Sequence, residues 1–153
     1  KALYEDSLTI HDTLLERGVN PDQVVLLGRS LGSAPATYLA AHRPVAKVIL
    51  VTPFDSLENL ASAMFPLLPV KWILNHPFPS LSWAPDIEVP LLMLVAARDE
   101  VIPTTHSEKL FNAWGGQKHW QLLQGVGHND IQMHPDFYPA IRHFLAEGPE
   151  GDK

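Results

Sequence analysis

The 153-residue chain contains no cysteine. Disulfides, thiolate metal centres and a cysteine nucleophile are therefore excluded. The absence fits a reducing compartment, and the expected location is cytoplasmic. Basic charge is also scarce: 11 Lys and Arg stand against 17 Asp and Glu, a formal net charge of −6. Phosphate binding draws on a basic surface, so nucleic acid is not expected as the main partner. Nor is there a polybasic patch for anionic lipid. No apolar run approaches the roughly 18 residues that span a bilayer, so no membrane span is expected. The opening Lys1-Ala2-Leu3-Tyr4-Glu5-Asp6 lacks a charged-then-apolar signal pattern, and without a leading Met it is not expected to be the natural start. Internal repeats and low-complexity segments are absent too.

What is present suits a globular protein. The chain is 46% hydrophobic and 18% charged, and its length is enough to bury a core. Apolar spacing and the following Gly18 predict a helix from Tyr4 to Arg17, with Leu3, Leu8, Ile10, Leu14 and Leu15 recurring at three- and four-residue steps. The continuous run Gln23–Gly28 predicts a strand covered on both faces. Ser30–His42, rich in small residues, predicts a helix, with Pro35 tolerated in its first turn. Further strands are expected at Ala46–Thr52, Pro90–Ala96 and His119–Leu123, and helices at Thr104–Trp114 and Phe137–Leu145. Alternation of helix and strand implies an α/β fold of about four parallel strands flanked by helices. The stretch Pro53 to Pro90 breaks the rhythm: it holds seven of the 14 prolines and two of the four tryptophans. Short helices are expected within it at Ser56–Met64 and Leu67–Leu74.

One motif carries chemistry. Gly28-Arg29-Ser30-Leu31-Gly32 fits G-x-S-x-G, placed after an apolar strand and at the mouth of a small-residue helix. A sharp strand-to-helix turn there strains the serine backbone, and the flanking glycines leave room for neighbouring backbone. The Ser30 hydroxyl would then project at a helix N-terminus, where unpaired N–H groups and the dipole favour a developing oxyanion. The expected donor is the Leu31 N–H. Capping of the helix by Ser30 is the plainer alternative.

A serine nucleophile needs a base, and the base needs an orienting acid. Among eight histidines, His128 stands out in the loop Gly125-Val126-Gly127-His128-Asn129-Asp130, after the fourth strand and before the last helix. His11, His42, His106 and His143 lie on or beside helices and are expected at the surface. Asp99, in Arg98-Asp99-Glu100-Val101-Ile102-Pro103 after the third strand, is the preferred acid. Asp55, after the second strand, is its rival. A metal reading of His128, Asp130 and His134 is weaker, because their spacing is not compact enough for a tetrahedral set.

Together with Thr52-Pro53-Phe54-Asp55-Ser56-Leu57, these motifs resemble the α/β-hydrolases, and within them the serine aminopeptidase-like hydrolases and protein depalmitoylases. The resemblance covers nearly the whole chain. It implies a Ser30–His128–Asp99 triad that cleaves a carboxyl ester or thioester through an acyl-enzyme, with no cofactor and no metal, on a small-molecule or acylated substrate. It also implies that residues 53–89 form a cap-like insertion, with Phe54, Met64, Phe65, Trp72 and Phe78 as candidate pocket residues against the alternative of core packing. Only the last four of the family's eight strands are represented. The chain thus resembles the C-terminal part of a single hydrolase domain, without the loop that supplies a second oxyanion donor. An unpaired apolar edge strand and weakened activity are then expected. The alternative functions are a catalytically incompetent fragment that binds a partner or small apolar ligand, and a serine aminopeptidase.

Overall fold

The computed structural model describes residues 2–64 and 79–147. Helix α1 (Ala2–Glu16) leads to strand β1 (Val25–Arg29), helix α2 (Ser33–His42), strand β2 (Lys47–Val51) and helix α3 (Leu57–Met64). A short helix α4 (Ser80–Trp83) precedes strand β3 (Leu91–Ala96), helix α5 (Thr104–Ala113), strand β4 (Lys118–Leu123) and helix α6 (Phe137–Ala146). The four strands form one parallel sheet in the order β1-β2-β3-β4. Each expected strand and helix within the described residues is present, with ends moved by a few residues. The expected helix at Leu67–Leu74 lies outside the described residues.

Strand side chains alternate between two cores, as the two-residue period requires. Val48, Leu50, Leu91, Met93 and Val95 pack with Ala36 and Ala40 of α2 and with Leu110 and Trp114 at the end of α5. Ile49, Val51, Leu92, Leu94 and Ala96 pack instead with Phe137 and Phe144 of α6. All six residues of β3 are buried, which explains why its sequence is apolar throughout. Lys47 at the start of β2 donates to the carbonyls of Phe144 and Glu147, completing the C-terminal turn of α6.

β1 departs from the expectation of a strand covered on both faces. It lies at the sheet edge, where Val25 is 39% and Leu27 58% exposed. α1 departs similarly. Its one buried side chain is His11, while Leu3, Ile10 and Leu14 are exposed. His11 is buried because its Nε2 donates to the Pro44 carbonyl at 3.0 Å, a bond that satisfies an otherwise costly polar group. Ile10, Leu14, Val25 and Leu27 line one shallow apolar groove beside the β1 edge.

Candidate active site

All the candidate groups sit at the carboxyl ends of the parallel strands, where side chains from successive connections converge. β1 ends at Arg29, and Ser30 turns with φ of +50° into a helical turn, Ser30–Gly32, before α2 begins. A positive φ is unfavourable for a residue with a Cβ and marks a backbone held by its surroundings. The holding contacts are visible. Ser33 Oγ donates to the Ser30 carbonyl at 2.6 Å. A Cβ on Gly28 would lie 2.6 Å from the Gly32 carbonyl oxygen and 2.8 Å from Ala36 Cβ, so only glycine permits the strand and helix to approach this closely. Gly32 differs: a Cβ there would meet nothing within 4 Å. Of the two flanking glycines, Gly28 is therefore the one that steric room demands.

Asp99 lies three residues beyond β3, with its side chain 1% exposed. Oδ1 accepts the backbone N–H groups of Val101 at 2.9 Å and Ile102 at 2.7 Å. These bonds fold the Asp99 loop around its own carboxylate and leave Oδ2 for another partner. That partner is His128 Nδ1, at 2.8 Å. With Nδ1–H donating to the carboxylate, Nε2 is the acceptor, and the Ser30 hydroxyl reaches it at 3.0 Å. Three side chains from three separate connections thus form one hydrogen-bonded line.

The His128 loop is fixed from both flanks. Arg98 N–H donates to the Val126 carbonyl at 3.0 Å, and Gly127 N–H donates to Asp130 Oδ1 at 2.6 Å. The Arg29 guanidinium, one residue before Ser30, donates through Nη2 to the His128 carbonyl at 2.8 Å. This direct tie between the serine turn and the histidine loop carries no signal that spacing reveals.

Asp55 is turned elsewhere. Its carboxylate is completely buried and receives His106 Nδ1–H at 2.6 Å, Ser56 N–H at 2.8 Å and Asn59 Nδ2 at 2.8 Å. Of the two candidate acids, Asp99 meets His128 and Asp55 does not. The surface expectation for His106 is corrected, as it is for His11: they are 4% and 1% exposed. His106 sits in the first turn of α5, and that turn is pressed against the exit of β2, which helical position alone does not disclose. The trio His128, Asp130 and His134 does not converge either. Asp130 turns back to Gly127, and His134 Nδ1 accepts the Asp136 N–H at 3.2 Å. Phe54 is 2% exposed and packed with Ala34, Leu60 and Ile102, the core-packing alternative. Phe65, Trp72, Phe78 and the side chain of Met64 lie outside the described residues.

No protein-family model matches the chain. Among solved structures, the acetyl xylan esterase from Paenibacillus sp. R4 superposes with a TM-score of 0.77 at 20% identity, over 93% of this chain and 51% of that one. The chain has a partial α/β-hydrolase fold. Curated relatives are similar over most of this hydrolase-fold chain. It is 30% identical over 148 residues to alpha/beta hydrolase domain-containing protein 17B of Xenopus laevis, 96% of this chain and 50% of that protein. It is also 35% identical over 131 residues to Rv2307c, an uncharacterized protein of Mycobacterium tuberculosis, 84% of this chain and 47% of that protein. The chain therefore spans about half the length of the curated relatives it matches. Among the described residues, no helix is long and apolar enough to cross a membrane.

Proposed function

We propose that this chain carries the nucleophile, base and acid of a serine hydrolase that cleaves a carboxyl ester or thioester. The observation that carries the reading is the line Asp99 Oδ2, His128 Nδ1, His128 Nε2, Ser30 Oγ, with spacings of 2.8 and 3.0 Å. Each distance lies within hydrogen-bond reach, which is the first requirement for proton transfer. In this reading His128 takes the Ser30 proton as Oγ attacks the carbonyl carbon. The tetrahedral oxyanion faces the Leu31 N–H at the helical turn. Collapse expels the alcohol or thiol, which receives the proton from His128. Water then attacks the acyl-serine with His128 again as base, releasing the acid and restoring Ser30. Asp99 holds the imidazole in the required tautomer and stabilises the imidazolium.

Structural neighbours include esterases and a lipase as well as puromycin-hydrolysing enzymes, which supports hydrolytic acyl transfer in general and leaves the leaving group to the substrate panel below. The strained Ser30 backbone supports a functional rather than a capping role, since capping needs no positive φ. A fluorophosphonate probe tests the assignment. Labelling is expected on the wild-type chain and is expected to fall by at least about 10³-fold in Ser30→Ala and His128→Ala. Equal labelling of wild type and Ser30→Ala would overturn the proposal. A panel of short esters, thioesters and amino-acid anilides then separates the leaving groups, and turnover of the anilides alone would favour an aminopeptidase.

A further inference from the structure

The Asp55–His106 pair is an anomaly. Two ionisable side chains with 0% and 5% side-chain exposure stand 2.6 Å apart, and neither touches the serine–histidine line. Lys109 Nζ lies 3.9 Å from Asp55 Oδ2, but it is 57% exposed. A buried histidine–aspartate contact contributes little to stability, because desolvation offsets most of the attraction between its members. A pair retained in this position calls for another explanation, and its connections supply one.

On one side the pair is anchored to the exit of β2. Asp55 lies four residues beyond Val51, and its backbone carbonyl accepts the Leu81 N–H of α4 at 3.0 Å. Next to it, Thr52 has φ of +45°, and its buried hydroxyl has no hydrogen-bond partner among the described residues. By strand register Thr52 follows Val51, the partner of Arg29, so Thr52 stands beside Ser30. On the other side the pair holds α5. His106 N–H bonds the Pro103 carbonyl at 3.0 Å, and Ser107 Oγ donates to the Pro53 carbonyl at 2.6 Å. Pro103 ends the loop that contains Asp99. Between these anchors Ile102 is 2% exposed and packs on Ala34, Phe54 and Leu60, while its N–H is one of the two donors to Asp99 Oδ1.

We propose that Asp55 and His106 are positioning residues, a buried clamp that presses the first turn of α5 against the β2 exit and so fixes the Asp99 loop at the height where Oδ2 meets His128. The pair acts through Ile102 and the loop backbone and touches no reacting atom. The effect on chemistry rests on the serine-hydrolase reading above, whereas the effect on the Asp99–His128 bond does not. Misplacing an acid by even 1 Å is enough to slow a reaction by about 10²-fold.

The test uses the full chain and reads two signals: the far-downfield proton resonance of the His128 Nδ1–H donated to Asp99, and the rate of fluorophosphonate labelling at saturating fold, with thermal melts alongside. His106→Asn keeps a donor at the Nδ1 position, and it is expected to keep the resonance and label within about threefold of wild type. His106→Leu is expected to lose or broaden the resonance and label at least about tenfold more slowly. Because His106→Leu leaves the buried Asp55 carboxylate without its histidine donor and could fail to fold, the double variant Asp55→Leu/His106→Leu is the decisive one, since replacing both members of a buried polar pair by apolar residues often leaves stability intact. A folded double variant with a weakened resonance and slow labelling supports the clamp. A folded double variant with the wild-type resonance and rate overturns it. If Ser30→Ala labels like wild type, the hydrolase reading fails, and the resonance still decides whether the pair positions Asp99.

Discussion

Among the described residues, two histidine–aspartate contacts of nearly equal length differ in what surrounds them. His128–Asp99 is 2.8 Å long and His106–Asp55 is 2.6 Å. Both histidines donate through Nδ1, and both carboxylates also accept backbone N–H groups from the turn that follows them. They differ in what lies at the far nitrogen. His128 Nε2 meets a serine hydroxyl on a strained turn. His106 belongs to an interior helix turn, and Asp55 spends its second oxygen on Asn59. Under the proposed function, what separates the two pairs is the third group and access: the His128 side chain is 10% exposed, twice that of His106.

The sharpest way to break the comparison is to neutralise each acid in turn. Asp99→Asn is expected to lower the labelling rate by about 10³- to 10⁴-fold, because the amide can bind the wrong imidazole tautomer. Asp55→Asn is expected to lower it far less, about tenfold, with a larger drop in melting temperature. Side-by-side labelling kinetics and melts check this, and a greater rate loss at Asp55 would reverse the two roles.

Next in size is the turn that carries Ser30. Gly28→Ala forces a Cβ to within 2.6 Å of the Gly32 carbonyl oxygen. A loss of about 2–4 kcal/mol is expected, with labelling falling in proportion to any displacement of Ser30. Gly32→Ala, with open space around its Cβ, is expected to stay within about 1 kcal/mol of wild type. Denaturant midpoints distinguish the two, and equal losses would mean that the close approach at Gly28 is not what shapes the turn. Arg29→Met removes the tie to the His128 carbonyl. An exposed hydrogen bond contributes little to stability, so labelling is expected to slow about threefold to tenfold with the melt nearly unchanged. A full rate in Arg29→Met would show that the Arg98 and Asp130 bonds hold the loop unaided.

How much of this was legible in the residues follows the same division. Ser30, Asp99 and His128 could be named because each lies at a predictable break, a strand end followed by glycine, proline or a short loop. Parallel strands with helical crossovers bring such breaks to one end of the sheet. The edge position of β1 was foreseeable from the strand count, but its exposed face was not, because Val25 and Leu27 read the same whether covered or bare. His106 and His11 escape the local sequence for a common reason. A helical histidine surrounded by polar neighbours looks solvated, and only tertiary contact shows that Asp55 or the Pro44 carbonyl is waiting for it. The Arg29 tie spans 99 residues and leaves no trace in local pattern.

A third histidine–aspartate neighbour gives the smallest and most specific expectation. His11 Nδ1 is 3.4 Å from Asp12 Oδ1, but the real partner of Asp12 is Arg43, which grips the carboxylate through Nε at 2.7 Å and Nη2 at 2.9 Å. The Arg43 hydrogen bonds, against a smaller opposing effect of burial, hold the Asp12 carboxyl at about 2, below its ordinary 3.8. A carboxyl lowered on folding binds fewer protons in the native state than in the unfolded one. Its stabilisation is thus fully present above about pH 4 and is lost as the pH falls toward about 2. In Arg43→Met that contribution is absent at every pH. The denaturant midpoints of wild type and variant are therefore expected to differ by a small, salt-sensitive amount from pH 5 to 7 and to converge between pH 4 and 2. A difference that stays constant through that window would mean that Arg43 acts by packing its aliphatic stem and not by holding the Asp12 charge.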